Sequence, residues 1–160
     1  MNTRPWAQAL REGAVAGTAA GLLSSVALAA TGKRQTGSMA APFNATSHWL
    51  WGDKALHEDR ASVRHTLVGF LTQNGAAIFW AAIYAALWGH RSEAKRVPDA
   101  IAGGIATSAA AYLIDYSITP KRLTPGYEHR LDGKGMFVVS AGRPAGFAVG
   151  ALALRSRAGR

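Results

Sequence analysis

Long runs free of charge alternate along this chain with short segments crowded with it. Residues 13–31 and 66–89 contain no Asp, Glu, Lys, Arg or His. Residues 100–118 contain only Asp115 among these types, and residues 136–154 only Arg143. At about 1.5 Å of rise per residue, runs of this length cross a hydrocarbon core about 30 Å thick. A water-exposed helix of the same length would carry a charged stripe, and these carry none. The pattern predicts an all-α polytopic membrane protein. Its single integral domain, residues 1–160, is a bundle of four transmembrane helices over about 13–31, 66–89, 100–118 and 136–154. A soluble Ala/Gly-rich bundle is the competing reading, and the uncharged faces count against it. The first run also imitates a secretory signal, with Arg4 and Arg11 ahead of it and Ala27-Leu28-Ala29 as a small-residue cleavage site. Its apolar stretch exceeds the usual signal core of about 7–15 residues, which favours a span.

Composition sharpens this picture. Charged residues are 17 % of the chain, below the roughly 25 % of soluble domains. The net charge of +9 sits in short connections beside apolar runs, a distribution that suits anionic lipid headgroups and not nucleic acid. Cysteine is absent, which removes disulfides and thiolate metal sites. Four spans put both termini on one side, together with Arg4, Arg11, Arg91, Lys95, Arg96, Arg155, Arg157 and Arg160. The opposite side has nine basic residues spread over longer loops. The denser positive side is expected in the cytoplasm, so a multi-pass protein with cytoplasmic termini is expected.

Small residues recur at helical spacing. Gly13, Gly17 and Gly21 mark the first run, and Gly142, Gly146 and Gly150 the last. In lipid, apolar side chains gain little by meeting each other, so close backbone approach along such stripes holds helices together. The stripes predict at least two tight contacts, within the chain or in a homo-oligomer.

A few polar groups sit at membrane depth. Arg143, followed by the helix-bending Pro144, would cost about 2.5–3.5 kcal/mol near mid-bilayer. Asp115 lies near the outer end of the third run. Their depths, about 12 Å and 5 Å at 1.5 Å per residue, are within reach of a snorkelling arginine, which predicts an Asp115–Arg143 pair. Gln73 and Asn74, in the second run, are expected to make hydrogen bonds between helices.

The two outer connections hold the distinctive sequence. In "APFNATSHWLWGDKALHEDR", Trp49 and Trp51 with Asp53 and Lys54 suggest a short interfacial helix near residues 47–57. Ser62 is a candidate cap for the next helix. "TPKRLTPGYEHRLDGKG" has Pro120 ending the third helix and Pro125-Gly126 making a turn. The two connections are expected to meet over the bundle, bringing Asp53, Glu58, Asp59 and Glu128 near Lys121, Arg122 and Arg130. The candidate interaction surface is His48, Trp49, Trp51, Asp53, Arg122, Tyr127, Glu128 and His129. The histidines lack ligand spacing, and no nucleotide or nucleophile motif is present, so neither metal nor cofactor is expected and no catalytic residue is assigned.

On "PFNATSHWLWGDKAL" and "DYSITPKRLTPGYEHRL", set between four apolar runs, the chain resembles a group of small uncharacterised inner-membrane proteins of proteobacteria. The resemblance covers most of the chain and implies an inner-membrane location without a known activity. Arg143 departs from the more uniformly apolar last span of that group. The expected function is non-enzymatic: a structural or accessory protein whose outer loops dock a partner. The expected partners are the bilayer and a membrane-protein complex or a second copy, and not nucleic acid. A small transporter or channel using Asp115 and Arg143 is the alternative.

Overall fold

The structure, a computed structural model, describes the backbone of residues 4–89 and 96–158, and within it the side chains of 6–87, 96–142 and 144–146. The described residues are helical, with no strand. α1 (Arg4–Thr36) is followed by two short helices, α2 (Ala41–Thr46) and α3 (His48–Trp51), and a 3-10 turn at Asp53–His57. A π-turn at Val63–Leu67 leads into α4 (Val68–Tyr84), which ends in a second π-turn at Ala85–Gly89. α5 (Val97–Ser117) and α6 (Gly133–Ala158) flank two 3-10 turns at Lys121–Leu123 and Tyr127–His129.

Three helical segments among the described residues are long and apolar enough to cross a membrane: Trp6–Thr36, Val63–Leu87 and Val97–Ser117. This is the class of a helical membrane protein. Each apolar run became a helix, but the helices extend past the runs at most of their ends, because local signals rather than the loss of hydrophobicity stop them. α1 continues to Thr36, where Lys33 and Arg34 lie in its negative last turn and Gly37 takes φ +77°. α5 opens with Pro98 and Asp99 in its first turn, where a missing N–H is harmless and a negative charge is favoured.

α1 is the central helix. It packs along its length against α4 on one side and α6 on the other, while α5 packs on α6 and meets α4 only lightly. The glycines explain the first two contacts. A Cβ at Gly13 would lie 2.5 Å from Ala82 Cα, one at Gly17 would collide with Ile78, and one at Gly21 with Asn74. On the other side, a Cβ at Gly146 would strike the backbone of Ala20. The pairs Gly13–Ala82, Gly17–Ile78 and Gly21–Asn74 step by four residues in opposite directions, the signature of an antiparallel contact along one ridge. Both stripes therefore make contacts within the chain. Gly142 is looser, with Ser24 Cα 3.5 Å from its would-be Cβ, and Gly150 lies outside the residues whose side chains are described.

This difference gives a sharp expectation. Gly146→Ala should destabilise the bundle by about 1–3 kcal/mol by overpacking the α1–α6 contact, whereas Gly142→Ala should be neutral or stabilising because alanine favours helix. Unfolding in mixed micelles titrated with dodecyl sulfate measures both.

Candidate functional site: a two-loop cap over an open cleft

At one end of the bundle the connection between α1 and α4 folds against the connection between α5 and α6. The first loop is organised by Asn44, which is fully buried. Its side-chain amide donates to the carbonyls of Glu58 (2.9 Å) and Arg60 (3.0 Å), and its oxygen accepts from Thr66 Oγ1 at 2.7 Å. All of its side-chain bonds run to groups 14 to 22 residues away, so the loop closes on this one amide. Ser38 adds a second tie by donating to the carbonyl of Asp59 at 2.7 Å. Ser62 caps the next helix, accepting from the His65 N–H at 3.1 Å, and Thr66 Oγ1 accepts the Ser62 N–H at 2.9 Å. The α2 backbone rests directly on Gly69 of α4, where a Cβ would collide with the Phe43 carbonyl.

The second loop is bolted to the first. Trp49 Nε1 donates to the Thr124 carbonyl at 2.7 Å. Arg130 donates to the Leu56 carbonyl at 3.0 Å and pairs with Asp59. Gly126, at φ +89°, brings its backbone so close to the Ala45 carbonyl and His48 Nδ1 that a Cβ would meet them at 2.5 and 2.6 Å. A third clamp joins α1 to the start of α6. Gln35 donates to Asp132 Oδ1 at 2.7 Å and accepts the Asp132 N–H at 2.9 Å, while Asp132 Oδ1 also accepts the Gly135 N–H at 2.7 Å. Asp132 is thus the N-cap of α6. Beneath these bonds Leu28, Phe43, Tyr127, Leu131, Met136 and Val139 form one apolar cluster.

This arrangement revises the expected loop surface. No lone interfacial helix occupies residues 47–57. The stretch makes separate short helical turns, and residues 41–48 are interior because they pack on α4 and the second loop. His48 is 4 % and Tyr127 1 % exposed, so neither belongs to a surface. His48 Nδ1 lies 2.8 Å from the Ala45 carbonyl, which places its proton on Nδ1, and Nε2 is buried without a partner. Trp49 is half-buried between the loops. Trp51 is exposed at the edge, donating to the Arg64 carbonyl at 2.8 Å, with the Arg64 guanidinium 4.4 Å from its ring centre. Asp53, Arg122 and His129 are exposed. Glu128 is half-buried, near Tyr116 Oη at 3.5 Å and His129 Nε2 at 3.9 Å. Of the basic groups expected to meet loop acids, Arg130 does so, whereas Lys121 and Arg122 face outward.

Gln73 and Asn74 both tie α4 to α1, donating at 3.3 Å to Ser24 Oγ and Ser25 Oγ. Asp115 is half-buried near the capped end of α5. Arg143 lies in α6 beside Pro144 with its side chain outside the described residues, and the expected Asp115–Arg143 pair lies outside them too. Among the described residues no group of His, Asp and Glu side chains is arranged to hold a metal ion.

Below the cap, the light contact between α4 and α5 leaves a cleft of about 570 Å³, within the range of about 300–1,000 Å³ usual for small-molecule sites. Thr72, Gln73, Ala76 and Trp80 form one wall, and Ser108, Ala111, Ile114 and Asp115 the other. Trp49, Leu50, Leu123 and Pro125 of the two loops form the roof. Sequence reasoning named Gln73, Asp115 and Trp49 but not the cavity that unites them. It also missed Asn44, Gln35 and Asp132, whose partners are distant in sequence; the only local signal was an amide among small apolar residues in "PFNATS".

Comparison with family models, with curated proteins and with solved structures finds no match to this chain.

The Gly135 N–H and the Gln35 amide hold the Asp132 carboxyl below its ordinary pKa of 3.8. A carboxylate whose folded-state pKa is lowered stabilises the fold above its unfolded value and loses that contribution as pH falls through the folded value. Asp132→Asn, which can still cap, should therefore lower the midpoint of thermal unfolding in detergent at pH 7, and the gap from the unaltered protein should close as pH is taken below about 3.8.

Proposed function

We propose that the chain is a four-span integral protein of a bacterial inner membrane, with α6 as the fourth span and both termini cytoplasmic. Its role is accessory and non-enzymatic: the capped end docks another component of the membrane. Membership in the group of small proteobacterial inner-membrane proteins suggested by its two loop sequences belongs to this reading. One observation carries it. Trp49 and Arg130 tie the two loops to each other by part-buried bonds between groups more than 70 residues apart, and Asn44 closes the first loop on itself. A preorganised loop surface loses little freedom on binding. Its outward side chains include an apolar and basic patch, with Leu50 63 %, Ile118 75 % and Leu123 44 % exposed beside Lys121 and Arg122, as well as the exposed acid Asp53; the patch is suited to the membrane surface. A transport role is the second reading, favoured by the position of Asp115 on the cleft wall.

The absence of cysteine makes topology directly measurable. Single Lys54→Cys and Lys121→Cys variants should both react with a membrane-impermeant maleimide in intact spheroplasts, and Arg96→Cys only after permeabilisation. Labelling of Lys54→Cys and Lys121→Cys from opposite sides would eliminate the four-span arrangement. For the transport reading, proteoliposome flux that drops severalfold or more in Asp115→Asn supports it, and flux indifferent to that change removes it.

A further inference from the structure

The cleft between α4 and α5 is confined in a way that identifies its occupant. Its α4 wall runs from Thr72 to Trp80, about 12 Å at 1.5 Å per residue. Its α5 wall begins at Ser108, midway along that helix, and the loops close it above. It therefore spans about 12 Å, less than half of a core of about 30 Å. A partner helix about 10–12 Å wide that crosses a core of about 30 Å cannot lie in it. An apolar chain or ring from one leaflet can. The exposed rim is apolar, with Leu50, Phe79 and Leu123 at 44 % exposure or more.

One polar group inside has no partner. Ser108 is 9 % exposed, lines the cleft, and its Oγ makes no hydrogen bond. In a helix, a serine ordinarily bonds back to its own backbone, and a buried hydroxyl left unpaired is costly. Across the cleft stands the Gln73 amide, itself 3 % exposed and joined to Ser24. An acyl chain alone would leave the Ser108 hydroxyl unpaired, whereas a molecule with an oxygen acceptor at that level would satisfy it.

We propose that this cleft binds one amphiphile from the bilayer, an apolar molecule carrying a neutral carbonyl oxygen that accepts a hydrogen bond from Ser108. The same chemistry is offered by an acyl ester and by a lipid-soluble quinone. The proposal rests on α4 and α5 lying in the membrane, which the maleimide labelling tests separately. If the labelling pattern holds and ligand binding fails, the cleft assignment alone is lost.

The test uses the full chain with Trp6, Trp51 and Trp88 changed to Phe, so that the remaining indoles, Trp49 and Trp80, both line the cleft. Two probes that quench indole, a dibrominated monoacylglycerol and a decyl-tailed benzoquinone, are titrated into micelles of this protein. Saturable quenching by either probe is expected, and the probe that binds more tightly identifies the source. Gly75→Phe projects into the cleft from a position where a Cβ meets nothing within 4 Å, and should weaken binding tenfold or more. Gly75→Ala, the folding control, should bind as the parent does. Ser108→Ala should weaken binding about threefold to tenfold, the worth of one net hydrogen bond. Quenching that never saturates, or affinity unchanged in both Gly75→Phe and Ser108→Ala, overturns the proposal. So does native mass spectrometry that finds a dimer in the parent and a monomer in Gly75→Phe, since a second copy would then fill the cleft.

Discussion

The close approach of three backbones along α1 is the constraint on which the rest of this molecule depends. In hydrocarbon, side-chain burial between helices has almost no solvent advantage, so cohesion comes from dispersion between surfaces that fit. Gly13, Gly17 and Gly21 remove the side chains that would hold α4 away, and Gly146 does the same for α6. The close contact also makes the polar bonds possible. Ser24 and Ser25 continue past the glycine stripe, and with α4 drawn in, Gln73 and Asn74 reach them directly. Packing comes first in this sequence of causes, and the hydrogen bonds then fix the register.

The cap depends on that register. Asn44, Gly69 and Phe43 meet only if α4 stands at the correct height beside α1, and Gln35 meets Asp132 only if α6 does. Leu28 of α1 touches the same apolar cluster as Tyr127 and Met136, which begins inside the bundle and ends inside the cap. Membrane part and loop part are therefore one cooperative unit. This also bears on the signal-like reading of Ala27-Leu28-Ala29: those residues lie inside a continuous helix that supplies two of the bundle's main contacts. Cleavage there would take away the element around which everything else is arranged.

How much of this could be read from the sequence follows from how local each cause is. The apolar runs were legible because each run alone decides helix over loop, and the glycine stripes because spacing alone reveals a face. Ser62 as a cap was legible for the same reason: donor and acceptor are three residues apart. Asn44 was not, since its three partners lie at Glu58, Arg60 and Thr66 and are assembled only by the folded loop. The two-tryptophan loop suggested an interfacial anchor because indoles favour that level, but Trp49 uses its N–H on Thr124, a partner 75 residues away. His48 and Tyr127 looked like surface chemistry and are instead interior packing, a distinction burial makes and composition cannot.

The cleft was invisible for a different reason: it arises where packing is missing. α1 spends one small face on α4 and another on α6, while Ala100, Gly104, Ser108 and Ala111 are the buried face of α5. α4 then turns Phe79 and Trp80, along with the small residues Thr72, Gly75 and Ala76, toward the α5 side. Bulky rings on one helix, met by a neighbour already seated elsewhere, keep two backbones apart. The loops that span the gap prevent it from closing, because Trp49 is pinned to Thr124 across its top. A void so framed is not a flaw that a slight shift of α5 could remove, since moving α5 toward α4 would break its seat on α6. The same small-residue economy that makes α1 central therefore leaves an opening between α4 and α5, with the buried Ser108 and Gln73 in its walls.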